Sequence, residues 1–205
     1  MLSKRDLKAA IASKNRGISA TTADKEAIAM MIARVEDTNP TPDPLSRPDL
    51  LEGNWRLLYT TSQELLGIDK VPLLTLGNIY QCVRPAAARI YNIAEVASVP
   101  YCEGLVSVVA GFEPAQSEAD VRQRRVNVRF NRAVFGLQRA LGYRSPGQYI
   151  EQMEATEKFN LLQGIDFAIE SDRQQGWLEI TYLDEDFRIG RGNQGSLFVL
   201  TKDPG

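Results

Sequence analysis

Two stretches of this 205-residue chain carry residue types and spacings that could do chemistry. Gly190, Gly192 and Gly195 spell G-x-G-x-x-G, a pattern that cradles a pyrophosphate when its last glycine opens a helix and an acidic residue follows ~20 positions on. Here SLFVL (Ser196 to Leu200) follows, a strand pattern near the end of the chain, so a hairpin turn with close backbone approach is expected and no nucleotide. Just upstream, Asp184, Glu185 and Asp186 could hold a metal or form an acid–base pair, but they sit between two strand patterns, where Asp serves the turn. There is no histidine. That removes the Ser-His and Cys-His pairs, the usual base near neutral pH and the commonest metal ligand. Carboxylates with tyrosine remain available, yet the residues favour a binding protein over an enzyme. Cys82 and Cys102 lack a C-x-x-C spacing, which argues against zinc and against a disulfide framework; buried free thiols are expected. No catalytic residue, metal or cofactor is assigned.

The elements that position these residues read mostly as strands. From Gly176 to Leu200 the chain predicts a three-stranded antiparallel meander, with Leu178, Ile180 and Tyr182 on one face and Trp177, Glu179 and Thr181 on the other. Residues 1–38 predict two amphipathic helices, each opened by a capping pair, Ser3 with Asp6 and Thr21 with Asp24. Ile28, Met31, Ile32 and Val35 form one helical face, suited to covering a sheet; docking or a membrane surface is the sharper alternative. Residues 39–52 are a Pro-rich connector in extended geometry. From Gly53 to the end, a barrel domain is expected. In its first strand Trp55, Leu57 and Tyr59 share a face, opposite Arg56, Leu58 and Thr60. Further strands are predicted at Ile79 to Val83, Arg89 to Val96, Gly104 to Phe112 and Arg122 to Ala133, and a short one around Phe167. Residues 62–76, rich in leucine, form either a short helix packed into the core or an apolar flap at the barrel mouth. Ser145-Pro146 predicts a helix start, with Tyr149, Ile150 and Met153 as its apolar face.

The sequence TYLDEDFRIGRGNQGSLFVL resembles the C-terminal signature of the plastid lipid-associated protein family, also called fibrillins, of plastids and cyanobacteria. Leu51 to Ser62 (LEGNWRLLYTTS) resembles that family's opening strand, and Gly77 to Gln81 its second. Gly53-x-Trp55 is also similar to the start of lipocalins. In that fold the tryptophan closes the base of the barrel, with an arginine from the last strands over its ring; Arg188 or Arg191 would fill that part here. About eight strands joined by short turns suit a lipocalin-like antiparallel β-barrel in a mainly β chain with N-terminal helices, an α+β arrangement whose interior could hold one small ligand. The side chains proposed to meet it are Trp55, Leu57, Tyr59, Leu66, Leu73, Leu74, Tyr80, Tyr91, Phe130 and Tyr182.

Composition agrees with an ordinary globular protein, 43% apolar and 24% charged, long enough to bury roughly 70% of its unfolded surface. No run of ~18 apolar residues exists. The formal net charge of −2, without a larger basic patch, argues against nucleic acid; the exposed arginines around Arg125 and Arg129 read as a solvated strand face or a contact for anionic headgroups. Charges at the N-terminus stand where a signal peptide would be apolar, so a cytoplasmic protein is expected. The start also lacks transit-peptide composition, which fits a prokaryotic family member. The resemblance implies peripheral contact with thylakoid membranes or lipid globules, and a lipid, prenyl quinone or carotenoid as partner. A protein-interaction scaffold, and an enzyme on a lipophilic substrate, are the alternatives. The residues leave the oligomeric state open.

Overall fold

The computed structural model describes residues 3–62, 75–97, 103–115, 123–169 and 175–204. Nine strands are found among them: β1 (Gly53–Thr60), β2 (Thr75–Arg84), β3 (Arg89–Ala97), β4 (Gly104–Pro114), β5 (Arg125–Leu137), β6 (Gly164–Ala168), β7 (Gln175–Leu183), β8 (Phe187–Gly192) and β9 (Leu197–Asp203). All pair antiparallel, and β1 meets β9 while β4 meets β5, so eight strands close into a barrel in the order β1-β2-β3-β4-β5-β7-β8-β9. The thirteen-residue β5 is shared. Its first part pairs with β7 and its last with β6, the ninth strand, which extends the wall beyond β7 at the end of the barrel where β1 finishes. That end is the mouth; the end where β1 starts is the base.

The helices cover the outside. Helix α1 (Lys4–Ala12) and α2 (Thr22–Glu36) each begin in a capping box, Ser3 with Asp6 and Thr21 with Asp24, in which side chain and backbone satisfy each other's free groups. Leu7, Ile11, Ile28, Ile32 and Val35 pack against Tyr59, Tyr182, Phe187, Ile189, Leu197 and Val199 on the outer face of β1, β9, β8 and β7. The pair is also clamped by charge: Arg191 on β8 donates to Glu36 from Nε and Nη2 at 2.9 and 2.6 Å, Thr181 donates to the same carboxylate at 2.5 Å, and Lys4 reaches Asp184 at 2.7 Å.

In the connector, α3 (Pro48–Leu51) is a single turn, and Leu51, with Leu45 and Leu50 beside it, enters the base of the barrel. On the far side, α4 (Gln138–Leu141) and α5 (Pro146–Ala155), the latter capped by Ser145, lay Leu141, Tyr149, Ile150 and Met153 over the outer face of β2 to β5. Cys82 is a free thiol under this cover, pushed up to about 12 by burial, and Cys102 lies outside the described residues.

The G-x-G-x-x-G stretch is a hairpin: β8 ends at Gly192, a 3-10 turn spans Asn193–Gly195, and β9 follows. Only Gly195 uses positive φ, at 71°. At Gly190 and Gly192 space is tight, since an added Cβ would come within 3.2 Å of Leu178 and 3.0 Å of the Phe198 ring. There is no helix N-terminus for a phosphate to meet.

Candidate functional site

The base of the barrel is built around Trp55. Its ring is fully buried, its Nε1 donates to the Leu51 carbonyl at 2.8 Å, and the Arg188 guanidinium carbon stands 4.9 Å from the ring centroid, with Lys202 Nζ at 5.3 Å. Of the two arginines proposed for this part, Arg188 is the one that faces inward. Arg191 faces outward to α2.

Register separates the two faces of the wall. Trp55 pairs with Gln81, and Gln81 with Asn92, which pairs with Val108; these are inward positions. Asn54 with Cys82 and Tyr91, and Arg56 with Tyr80 and Ile93, are outward ones. Asn92, Val106, Val108, Phe130 and Phe198 face inward yet are only half-buried, whereas their outward neighbours Tyr91, Ile93, Leu105 and Val109 are buried beneath α5. An inward side chain keeps contact with solvent only where the interior is not packed, so the barrel is filled around Trp55 and up β2 and β3, where Leu76, Ile79 and Ala94 are buried with it, and is less tightly packed along β4 and β5.

This placement corrects part of the predicted lining. Trp55, Leu57 and Phe130 are inward. Tyr59, Tyr80, Tyr91 and Tyr182 are not: Tyr80 and Tyr91 lie under α5, and Tyr59 and Tyr182 under α1 and α2. For Tyr59 and Tyr182 the reason is local, a register shift after Leu57 in β1 and after Ile180 in β7, each of which turns the following side chains to the other face. For Tyr80 and Tyr91 it is tertiary, because helices on the outside make both faces apolar and alternation cannot say which is inner. Leu66, Leu73 and Leu74, with most of the proposed flap, lie outside the described residues.

Sequence reasoning missed two features. The first is the inward polar pair Gln81 and Asn92, where Gln81 Nε2 donates to Asn92 Oδ1 at 3.2 Å. The second is an apolar lip at the mouth. Phe135, Leu137, Ile165 and Phe167 are exposed on the inward face of β5 and β6, with the Phe135 and Phe167 rings stacked at 5.9 Å. Leu161 and Leu162, 90% and 92% exposed, cap the turn leading into β6. That turn is ordered: Asn160 Oδ1 accepts from the Leu162 and Gln163 amides at 3.0 and 3.1 Å, and Gln163 Oε1 accepts from the Asn160 amide at 3.2 Å. The adjacent leucines between Asn160 and Gln163 were the available signal. Behind the lip, Arg132 on β5 grips Asp166 on β6 with Nε and Nη2 at 3.0 and 2.6 Å and holds the Met153 carbonyl of α5 at 3.2 Å.

Tyrosine–carboxylate pairs that could serve acid–base chemistry are Tyr91 with Glu154 at 2.7 Å, Tyr143 with Glu95 at 2.9 Å and Tyr182 with Asp184 at 2.8 Å. All three are on the outer side, away from the inner wall. Burial, reinforced by the carboxylate, raises each phenol, Tyr182 to about 12, so at neutral pH they are proton-bearing donors. Two surface grooves, of about 410 Å³ beside Gly111, Glu113 and Asn127 and about 470 Å³ between α1 and β1, are lined by polar and apolar atoms alike. Among the described residues no cluster of three or more metal-ligating side chains occurs, and no helix is long and apolar enough to cross a membrane.

The family model PAP_fibrillin matches residues 1–201. The chain belongs to this family. Fibrillin relatives include plastoglobulin-1 of Pisum sativum, 32% identical over 220 residues, covering 98% of this chain and 60% of that protein. Probable plastid-lipid-associated proteins 2 and 3 of Arabidopsis thaliana are 29% and 30% identical, again over 98% of this chain, with 70% and 57% of their own lengths covered. All three names carry the word chloroplastic, and the chain spans well short of their full lengths. No solved structure matches. The two fibrillin motifs far apart in sequence become neighbours in space, since β1 pairs with β9 along Asn54 to Thr60.

Proposed function

We propose that this chain is a non-catalytic protein that holds an apolar molecule in its barrel and works at the surface of photosynthetic membranes or lipid globules. The observation that carries this reading is continuity: the half-buried inner wall of Val106, Val108 and Phe130 runs along β4 and β5 onto the exposed lip of Phe135, Ile165 and Phe167. A soluble surface does not hold six large apolar side chains in one ordered rim without a use for them. Against a lipid phase they gain roughly 25 cal/mol per Å² of apolar surface removed from water. The lip would dock and the wall would receive a lipid, prenyl quinone or carotenoid. The two Arabidopsis thaliana relatives named as plastid-lipid-associated support the same reading. The outward placement of the tyrosine–carboxylate pairs weighs against an enzyme in the barrel.

Protein purified from its native host and extracted with organic solvent is expected to yield an apolar molecule in near-stoichiometric amount. A native preparation without one, and with no affinity for any offered, would shift the reading to a protein-interaction scaffold. The docking half has its own test. Leu161→Asp with Leu162→Asp should lower flotation with phosphatidylcholine vesicles at least tenfold, because each carboxylate costs about 2.5–3.5 kcal/mol at hydrocarbon depth and about half of that at its edge suffices. The unfolding midpoint should hardly move, since both positions are exposed. Undiminished flotation would remove the lip from the docking surface.

A further inference from the structure

A buried charge ordinarily has a counter-charge, and Arg188 has none in view. It is 2% exposed, it faces the interior, and among the described residues no carboxylate stands within ion-pair distance of it. Its partners are the Trp55 ring and the side-chain oxygen of Gln81, which accepts a short hydrogen bond from Nη2; Gln81 in turn donates to Asn92. Burial pulls the guanidinium down to about 9, which still leaves it charged at neutral pH. The result is a polar row, Arg188, Gln81, Asn92, crossing β8, β2 and β3 at the floor of an otherwise apolar interior, with half-buried Val108 paired beside Asn92. A guanidinium offers five N–H donors, and one bond to an amide oxygen leaves most of them unused. An isolated cation in low dielectric is costly, and a fixed carboxylate from the protein would remove that cost permanently.

We propose that this row is the receptor for the head of the barrel's ligand, and that the head is a carboxylate at the end of a long acyl chain. Arg188 supplies the counter-charge and Gln81 and Asn92 the neutral amides of the row, Asn92 at its far end, while the chain lies along the apolar wall toward the mouth. The proposal rests on the barrel-binding reading above and adds the class of ligand.

The test is displacement of the fluorescent fatty acid cis-parinaric acid from the delipidated full-length chain by oleic acid and by oleyl alcohol. The chains match and only the head differs. Oleate should displace the probe at a concentration at least tenfold below that of the alcohol. Arg188→Gln should bring the two within threefold. Since Arg188 also packs on Trp55, a second variant guards against loss of fold: Asn92→Asp keeps the shape and places a negative charge in the row. It should weaken oleate at least tenfold more than the alcohol, while the thermal midpoint holds or rises because the buried guanidinium has gained a counter-charge. A purely structural arginine would leave the acid-to-alcohol ratio unchanged in Asn92→Asp. Equal displacement by acid and alcohol in the wild type would overturn the carboxylate receptor and leave the apolar barrel standing. Displacement by neither, with no uptake of the probe, would overturn the barrel-binding reading itself.

Discussion

Trp55→Ala is expected to lose about 3–5 kcal/mol of stability, the upper range for truncating a large buried ring. Several losses fall together at this position. The ring has no solvent exposure, so its removal leaves a cavity at the base between Leu51, Val83 and Leu200 that the closed wall cannot collapse to fill. The Leu51 carbonyl loses its donor, which loosens α3 as the plug of the base. Arg188 and Lys202 lose the π face over which they stand, an interaction worth ~0.5–2 kcal/mol. Denaturant unfolding followed through the remaining tryptophan, Trp177, measures the change. A loss below about 1 kcal/mol would mean that the base does not depend on the ring.

Arg132→Met is expected to cost a comparable amount, about 3–5 kcal/mol at neutral pH, because it strands a buried carboxylate. The Asp166 side chain is 3% exposed and accepts from Arg132 twice and from the Phe159 amide at 2.8 Å. Burial pushes its carboxyl up, but the bonds from Arg132 and Phe159 outweigh burial and hold it below the usual carboxylate range. A carboxyl depressed in the folded state contributes stability above its unfolded value of ~3.9, lost as pH falls through the folded value. The wild-type contribution is therefore intact at neutral pH and disappears only in acid. In the variant the attraction is gone while burial remains, so the folded carboxyl titrates above its unfolded value and protonation relieves the strain. The deficit should be largest near pH 7 and shrink toward pH 5. A deficit equal at both values would show that Arg132 acts through packing on Phe159, over whose ring it stands at 5.7 Å, and not through charge. Because Arg132 also joins β5, β6 and the end of α5, the lip should lose its order with the pair, lowering vesicle flotation even where the barrel survives.

Local chemistry was legible in the sequence wherever neighbouring residues decide it. The capping boxes at Ser3 and Thr21, the Ser145-Pro146 helix start and the Asp184 turn, whose carboxylate accepts from the Asp186 and Phe187 amides, all depend on side chains three residues away or fewer. The strand runs, the reading of Gly190 to Gly195 as a turn and the family motifs at both ends belong to the same class, as does the closed antiparallel barrel that they imply. What needed the tertiary structure was direction. Alternation states that two faces differ, and it cannot state which one is inside when helices bury the outer face as fully as the barrel buries the inner one; hence Tyr80 and Tyr91 lie under α5. Nor does alternation survive an extra residue, and the shifts after Leu57 and Ile180 carried Tyr59 and Tyr182 outward. The choice of Arg188 over Arg191 followed from the parity of β8 against β9. The lip and the polar row are further still from local reading. Phe135 meets Ile165 only when β6 returns past two helices to pair with β5, and Arg188 meets Gln81 only across the closed barrel; Gln81 and Asn92 are partners within one hairpin, and what the tertiary structure supplied for them is the inward direction.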